Sequence, residues 1–114
     1  MPYELKNVLQ TNGTVNANTQ IVAPVAGKRI KVTAYLVITT YSVGSLGVLF
    51  SDGNAGTTLW PLLLQAQAGG ISGANLAKPA PDAIFICTQG TGLWFNPAGQ
   101  NVLYAISYFA DDAY

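Results

Sequence analysis

Apolar side chains recur at every second position from Arg29 to Thr40, which is the clearest strand signal in the chain. The side chains of a β-strand point alternately to its two faces, so this segment has two distinct faces. The face predicted to lie against the core carries Ile30, Val32, Ala34, Leu36 and Ile38. The face predicted to point outward carries Arg29, Lys31, Thr33, Tyr35, Val37 and Thr39.

Two turn signals precede this strand. The Asn-Gly pair within Thr11–Thr14 predicts a two-residue hairpin, because both residues tolerate the positive φ of a type I′ turn. This hairpin would join a strand over Leu5–Gln10 to a strand over Val15–Ala23. Pro24–Gly27 predicts the turn into the main strand, since proline fixes φ and glycine relieves the strained exit.

The middle of the chain predicts two further strands and a long connection. Leu46–Ser51 forms a short strand and Thr57–Trp60 resumes the extended pattern. Pro61 places the second of these at a sheet edge or at a bulge, because proline cannot donate to a ladder. For Leu62–Ala68 we favour extended structure over two turns of helix. Gly69–Pro81, rich in glycine, alanine and proline, predicts a long surface loop that contacts a partner.

The C-terminal third predicts three strands, over Ala83–Gln89, Leu93–Asn96 and Asn101–Phe109, with short hairpin-like connections. The last strand is apolar on both faces, as is typical of a central strand or of a strand between the core and a partner. About eight strands in this rhythm predict an all-β fold, a single antiparallel β-sandwich of jelly-roll or Greek-key type. The length predicts one domain over residues 1–114.

Charged residues make up only 9% of the chain and hydrophobic residues 50%, whereas an average soluble domain is roughly 25% charged. We therefore expect an uncharged polar surface, part of which is buried against other subunits. The net charge of zero permits self-association and lacks the positive field that a nucleic-acid binder needs. The residues predicted to lie at an interface are Arg29, Lys31, Tyr35, Val37, Tyr104 and Tyr108.

The chain shows no sign of membrane insertion or export. No apolar run approaches the roughly 18 residues of a membrane span. The N-terminus lacks the basic region and apolar stretch of a secretory signal, so we expect synthesis in a cytoplasm without classical export. The lone Cys87 lies in an apolar run and is predicted to be a buried small hydrophobe.

The residues that most catalytic and metal sites require are missing. Histidine is absent and there is one cysteine, which removes the usual general base and the nitrogen and sulfur ligands of zinc. Asp111 and Asp112 are adjacent and are predicted to form a solvated tail. Asp52 and Asp82 read as turn formers, and Asp52-Gly53-Asn54 supplies too few oxygens for calcium. We expect no enzyme activity, metal or cofactor.

Two groups of side chains leave alternatives open. Arg29 and Lys31 would either meet an acidic patch on a partner or keep an exposed strand soluble. Aromatic side chains would either stack on a sugar or form core and subunit contacts, and we favour the second interpretation. These aromatic residues are Tyr35, Tyr41, Trp60, Trp94 and Tyr104.

The segment Ala23–Val32 has the form A-P-x-x-G-K-R-I-x-V, a turn that leads into a long strand. With a Gly-rich hairpin midway and the aromatic final strand Val102–Phe109, the chain resembles small β-sandwich proteins encoded among the virion structural genes of tailed bacteriophages. The resemblance implies a virion protein, often trimeric, that binds the major capsid protein or another virion protein. It would act as a decoration or cement protein on the phage head. The alternative is a carbohydrate- or receptor-binding module of a tail or fibre.

Overall fold

The computed structural model describes residues 8–40, 45–53, 56–65 and 72–112. Its regular elements are all β-strands in these ranges, which confirms the predicted fold class. The strands are β1 Leu9–Val15, β2 Thr19–Val22, β3 Lys28–Thr39, β4 Ser45–Ser51, β5 Thr58–Gln65, β6 Ser72–Ala77, β7 Phe85–Ile86, β8 Leu93–Asn96 and β9 Val102–Asp112.

The strands form two antiparallel sheets, which we call sheet A and sheet B. Sheet A has the order β1-β9-β3-β6, with β7 also paired to β3, and sheet B has the order β2-β8-β4-β5. Only β4 to β5 is a hairpin between paired strands. Apart from that hairpin and the step from β6 to β7, every step along the chain changes sheet. Eight strands in this order, with β7 as an addition, make a jelly roll.

The core fills the space between the two sheets. Phe50 and Phe95 lie at its centre with ring centroids 4.9 Å apart, and Phe85 and Tyr35 pack against Phe50. Aliphatic side chains from both sheets complete the cluster. Prominent among them are Val22, Ile30, Val32, Val37, Leu46, Val48, Leu64, Leu93, Val102 and Ile106.

A β-bulge at Thr33 reverses the two faces of β3. The register with β9 shifts between Val32 and Ala34, and the Thr33 hydroxyl donates to the Ser107 carbonyl at 3.2 Å. An extra residue in a strand moves every later side chain to the opposite face. The predicted inward position is therefore correct for Ile30 and Val32. The assignment of side chains to the two faces is wrong for the residues of β3 that follow the bulge. The residues buried after the bulge are Tyr35, Val37 and Thr39.

The predicted N-terminal hairpin is wrong. Asn12 and Gly13 lie in the middle of β1, where they pair with Ala105 and Tyr104 of β9. A Cβ at residue 13 would sit 3.3 Å from the Tyr104 hydroxyl oxygen, so glycine here leaves room for the cross-strand ring. The chain turns between β1 and β2 at residues 16–18 instead. Half of the predicted strand at Leu5–Gln10 lies outside the described residues, and Leu9 and Gln10 begin β1.

The connections also differ from the predictions. Ser72–Ala77, predicted within a long loop, is strand β6 and pairs with β3. Glycine is required at position 73 because a Cβ there would lie 2.7 Å from the Val37 carbonyl oxygen. In place of the predicted strand Ala83–Gln89, the structure has only the two-residue strand β7, Phe85–Ile86. The two connections that flank β8 cross between the sheets and are not hairpins.

The C-terminal carboxylates are not a solvated tail. Asp111 and Asp112 continue β9 and pair in register with Arg29 and Lys28. The Lys31 ammonium lies 3.6 Å from an Asp111 carboxylate oxygen. The ion pair between Lys31 and Asp111 favours this continuation of the strand.

Four further predictions are confirmed. Pro61 lies in β5, the edge strand of sheet B, and β5 is extended over the described part of Leu62–Ala68. Leu93–Asn96 is a strand with the predicted bounds. Cys87 is buried.

Candidate functional site

The outer face of sheet A includes an uncharged surface of three cross-strand rows, and each row has one residue from each of four strands. Because of the bulge at Thr33, the β3 residues on this face are small or aliphatic, and β1 and β6 contribute mainly amides, hydroxyls and small residues. We call these twelve residues the neutral face. They are Gln10, Ser107, Ala34 and Ala77, then Asn12, Ala105, Leu36 and Asn75, then Thr14, Leu103, Ile38 and Gly73.

A depression of about 430 Å³ lies in the neutral face and spans its first two rows. Ala34 and Ala105 stand on the two central strands, where their short side chains leave the surface low. Gln10 and Asn12 on β1 and Asn75 on β6 line the two sides. The depression thus combines an apolar floor with amide groups at its margin, a lining that favours an uncharged occupant.

Among the described residues of sheet A, charge on the outer side lies at one end. Lys31 and Asp111 form the ion pair there, and the Lys31 ammonium also lies 5.9 Å from the centre of the Phe109 ring. Phe109 is buried even though it shares this outward position with Lys31. Both oppositely charged groups have partners within the fold. This arrangement favours a structural role for Lys31.

The outer face of sheet B also lacks charge in its described part, and it exposes apolar side chains of β5. Leu63 is 63% exposed, the highest value among the large hydrophobic residues of the described chain. Its cross-strand neighbour is Gly47, which has no side chain to cover it. Pro61, two residues earlier on the same strand face, is exposed opposite Leu49. Pro61 and Leu63 therefore form an apolar ridge.

The six residues predicted at an interface lie in different parts of the fold. Tyr35, Val37 and Tyr104 are buried between the sheets, so the predicted outward position of Tyr35 and Val37 is wrong. Tyr108 is half-buried and packs against the same core. Arg29 and Lys31 lie half-buried at the charged end of sheet A. Sequence reasoning missed the neutral face because the bulge at Thr33 exchanges which half of β3 points outward.

The tryptophans do not form an exposed stacking platform in the described part of the chain. The Trp60 ring stacks on Phe85 at 5.9 Å and 18°, and its indole nitrogen donates to the Tyr35 hydroxyl. Trp94 is half-buried on β8. Tyr41 lies outside the described residues. Tyr35 and Tyr104 thus belong to the core and Trp60 packs against it, as the favoured interpretation expects, whereas Trp94 is not part of this cluster.

The loop that was weighed for calcium is held by its own hydrogen bonds. One Asp52 carboxylate oxygen accepts from the Thr57 backbone N–H at 2.8 Å and the other accepts from the Thr88 hydroxyl at 2.6 Å. The Asp52 carboxylate is therefore occupied in joining two loops. Over the ranges that the structure describes, no three His, Cys, Asp or Glu side chains come together as a metal site.

Burial raises the pKa of the Cys87 thiol to about 12, and the nearby Asp52 carboxylate adds a smaller effect in the same direction. A thiol with so high a pKa is not a nucleophile at neutral pH. Within the described part of the chain, the structure contains no helix long and apolar enough to cross a membrane.

Comparison with known proteins adds little. No protein-family model and no curated protein match the chain. It is similar, at 11% identity and a TM-score of 0.36, to a chain in the cryo-EM structure of the virus-like particle of the giant freshwater prawn (Macrobrachium rosenbergii) extra small virus, over 100% of this chain and 86% of that one. It is also similar to the arabinose-bound MgGH51 α-L-arabinofuranosidase, at 22% identity and a TM-score of 0.33, over 96% of this chain and 21% of that one. Similarities this weak carry no argument about fold or function.

Proposed function

We propose that this chain is a non-enzymatic structural protein of a virus particle. In this proposal it is a decoration or cement protein that binds the outside of a bacteriophage head as an oligomer, a homotrimer by the resemblance above. Its partners are further copies of itself and the major capsid protein or another virion protein. It needs no cofactor, nucleic acid or membrane for this role.

The observation that carries the proposal is the neutral face on a jelly roll. Jelly rolls recur in viral capsid and lectin domains, although a fold alone does not fix a function. The neutral face of sheet A and the described part of the outer face of sheet B lack charge, whereas monomeric proteins keep their surfaces charged and patch-free. Surfaces of this kind fit a subunit that is covered by neighbours in an assembly.

The chemistry of the chain supports a binding role over a catalytic one. The sequence contains no histidine. Asp52 is engaged by Thr57 and Thr88, and Asp111 by Lys31, so these carboxylates have structural partners. The carbohydrate-binding alternative has less support, since stacking on sugar needs an exposed aromatic ring and Trp60 packs inside against Phe85.

Two experiments on particles test this role. Mass spectrometry of density-banded particles from a culture that produces the chain should find it in a fixed ratio to the major capsid protein. Particles that lack the chain should release their DNA at a lower temperature, and adding back the purified chain should restore the release temperature. Absence of the chain from the particles refutes the virion role. Unchanged DNA release refutes the cement role alone.

A further inference from the structure

We propose that two copies of this chain join edge to edge through strand β1, across a twofold axis that passes through Asn12. The β1 strands of the two copies pair antiparallel, so that sheet A continues from one copy into the next. This inference goes beyond the proposed function, because it does not depend on a role in a virus particle. A twofold contact joins copies in pairs and therefore doubles the mass of whatever assembly the other surfaces form.

Strand β1 is an open edge of sheet A in the described part of the chain. It pairs with β9 on one side, and none of the described strands pairs with its other side. The seven residues of β1 include no charged residue and no proline, and their register with β9 is unbroken. Charges, prolines and bulges are the features by which native proteins prevent edge strands from pairing. Strand β1 therefore presents its free side to another strand without any of these obstacles.

The other three edge strands are less suited to such pairing. Strand β5 contains Pro61, and β2 has only four residues and an irregular register with β8. Strand β6 is uncharged, but half of its residues are glycine or alanine, and Lys78 and Pro79 follow it directly. Glycine and alanine are depleted in strands, whereas the threonine and valine that β1 contains are enriched. We therefore assign the contact to β1.

The register of the contact follows from the geometry of an antiparallel pair. Two opposite residues point their side chains to the same face, and both direct their backbone N–H and C=O groups either toward the partner strand or away from it. The twofold axis must therefore pass through a residue. An axis through Asn12 pairs the whole of β1 with itself and forms about six to eight backbone hydrogen bonds. The opposite pairs are Leu9 with Val15, Gln10 with Thr14, Thr11 with Gly13, and Asn12 with Asn12.

The opposite side chains in this register suit each other. On the outer face, Gln10 lies opposite Thr14, and amide and hydroxyl groups can hydrogen-bond across the strands. On the inner face, Val15 packs against the core, whereas Leu9 is 45% exposed. Val15 of the second copy lies beside Leu9 and covers it. The contact thus buries an apolar side chain and opposes no like charges.

Sheet B leaves room for this contact. Strand β2, at the edge of sheet B, contacts β1, so the edges of the two sheets lie together on this side of the sandwich. None of the described strands of sheet B is paired beyond β2. Two copies can therefore meet side by side, with both sheets of one copy next to the corresponding sheets of the other.

Charged substitutions at the axis test the contact by sedimentation velocity of the full chain. Because Asn12 lies opposite itself, Asn12→Lys places two positive charges together and Asn12→Asp places two negative charges together. Asn12 is exposed, and its neighbour on β9 is Ala105, so each copy has room for the new side chain. The matched controls are Asn75→Lys and Asn75→Asp, at an exposed position of β6 on the same face of the sheet. Circular dichroism checks the fold of each variant.

We expect Asn12→Lys and Asn12→Asp each to sediment at half the mass of the parent chain. An equimolar mixture of the two should recover the parent mass, because lysine then lies opposite aspartate. The Asn75 variants should keep the parent mass. A parent chain with the same mass as Asn12→Lys overturns the edge contact and leaves the virion role standing. Loss of mass in the Asn75 variants as well would mean that β1 pairs with β6 of the next copy, which also overturns the twofold contact.

Disulfide cross-linking measures the register directly. Opposite residues of an antiparallel pair have Cα atoms about 4.5–5.5 Å apart, within the range of a disulfide. Asn12→Cys should therefore form a covalent dimer on mild oxidation. Gln10→Cys, on the same face of β1, is the control, because the two copies of residue 10 lie four residues apart, about 13 Å. The native Cys87 is only 1% exposed and does not compete.

An equimolar mixture of Gln10→Cys and Thr14→Cys should also cross-link, since these positions lie opposite each other in the proposed register. Absence of a covalent dimer from Asn12→Cys overturns the contact at this residue. Cross-linking of Gln10→Cys alone, as fast as that of Asn12→Cys, would show that random collisions or another register produce the dimer, and it overturns the assignment of the axis to Asn12.

Discussion

The indole nitrogen of Trp60 donates a hydrogen bond of 3.1 Å to the hydroxyl of Tyr35, and this bond joins the two sheets through the core. Trp60 belongs to the edge strand of sheet B and Tyr35 to a central strand of sheet A. The two rings also pack at 6.4 Å, and the Trp60 ring stacks on Phe85. Tyr35 therefore serves as a structural acceptor, which explains why a tyrosine occupies a core position of β3.

Tyr35→Phe should lower the free energy of unfolding by about 1–3 kcal/mol, because the part-buried Trp60 N–H loses its acceptor. Urea denaturation followed by tryptophan fluorescence measures the change. Tyr104→Phe is the matched control, since the described part of the structure shows no hydrogen bond to that hydroxyl. Equal losses in the two variants would show that the bond to Trp60 contributes nothing.

The bulge at Thr33 makes neighbouring residues of β3 respond in opposite ways. Val37 is 0% exposed and Leu36 is 36% exposed. Val37→Ala should cost about 2–3 kcal/mol of unfolding free energy, from about 0.8 kcal/mol per buried methylene and the cavity that remains. Leu36→Ala, although it removes more carbon, should cost less than about 1 kcal/mol. Thermal unfolding measures both changes. A larger loss of unfolding free energy for Leu36→Ala would support the uninterrupted alternation, with Leu36 in the core, that the sequence predicts.

This reversal shows what the sequence could and could not determine. The alternation of apolar and polar residues predicted strand β3, and the regular succession of strand and turn signals predicted the sandwich. Both predictions succeeded because they depend on local patterns. The bulge depends on Thr33 bonding to the Ser107 carbonyl, a contact between residues far apart in sequence. Asn12-Gly13 likewise has the form of a turn, but pairing with Tyr104 and Ala105 overrides that local preference.

The candidate site was less predictable than the fold for the same reason. The neutral face depends on which half of β3 points outward and on which strands lie beside it. Alanines such as Ala34 and Ala105 carry no functional signal in a sequence, and they form the floor of the depression only after β3 and β9 pair. The low charge of the chain did predict an uncharged surface, although not its location.

Glycine at position 92 is required by the close approach of two strands. A Cβ there would lie 2.6 Å from the Val22 carbonyl oxygen, which is backbone and cannot move aside alone. Gly92→Ala should therefore lower the thermal unfolding midpoint by several degrees, as the pairing of β2 with β8 is disturbed. Gly47→Ala is the control, since an added Cβ at that position meets no atom within 4 Å. A Gly92→Ala midpoint at or above that of Gly47→Ala would contradict the crowding.

Stability at alkaline pH should depend on Cys87. Burial, with a smaller effect of Asp52, raises the pKa of its thiol from about 9 to about 12. The unfolded chain releases this proton at lower pH than the folded chain, so the unfolded state binds fewer protons between these values. The contribution of Cys87 is therefore full below pH 9 and declines as the pH rises towards 12, by up to about 1.4 kcal/mol per pH unit.

Urea denaturation of the parent chain and of Cys87→Ala between pH 8 and 11 isolates this contribution, because tyrosine and lysine titrate in both proteins. The alanine variant should be less stable at pH 8, where the cavity dominates, and the difference should shrink as the pH rises. The folded parent should also resist a thiol reagent at pH 8 and react once unfolded, since the thiol is only 1% exposed. A difference that stays constant with pH, together with rapid labelling of the folded chain, would mean that the thiol is open to solvent.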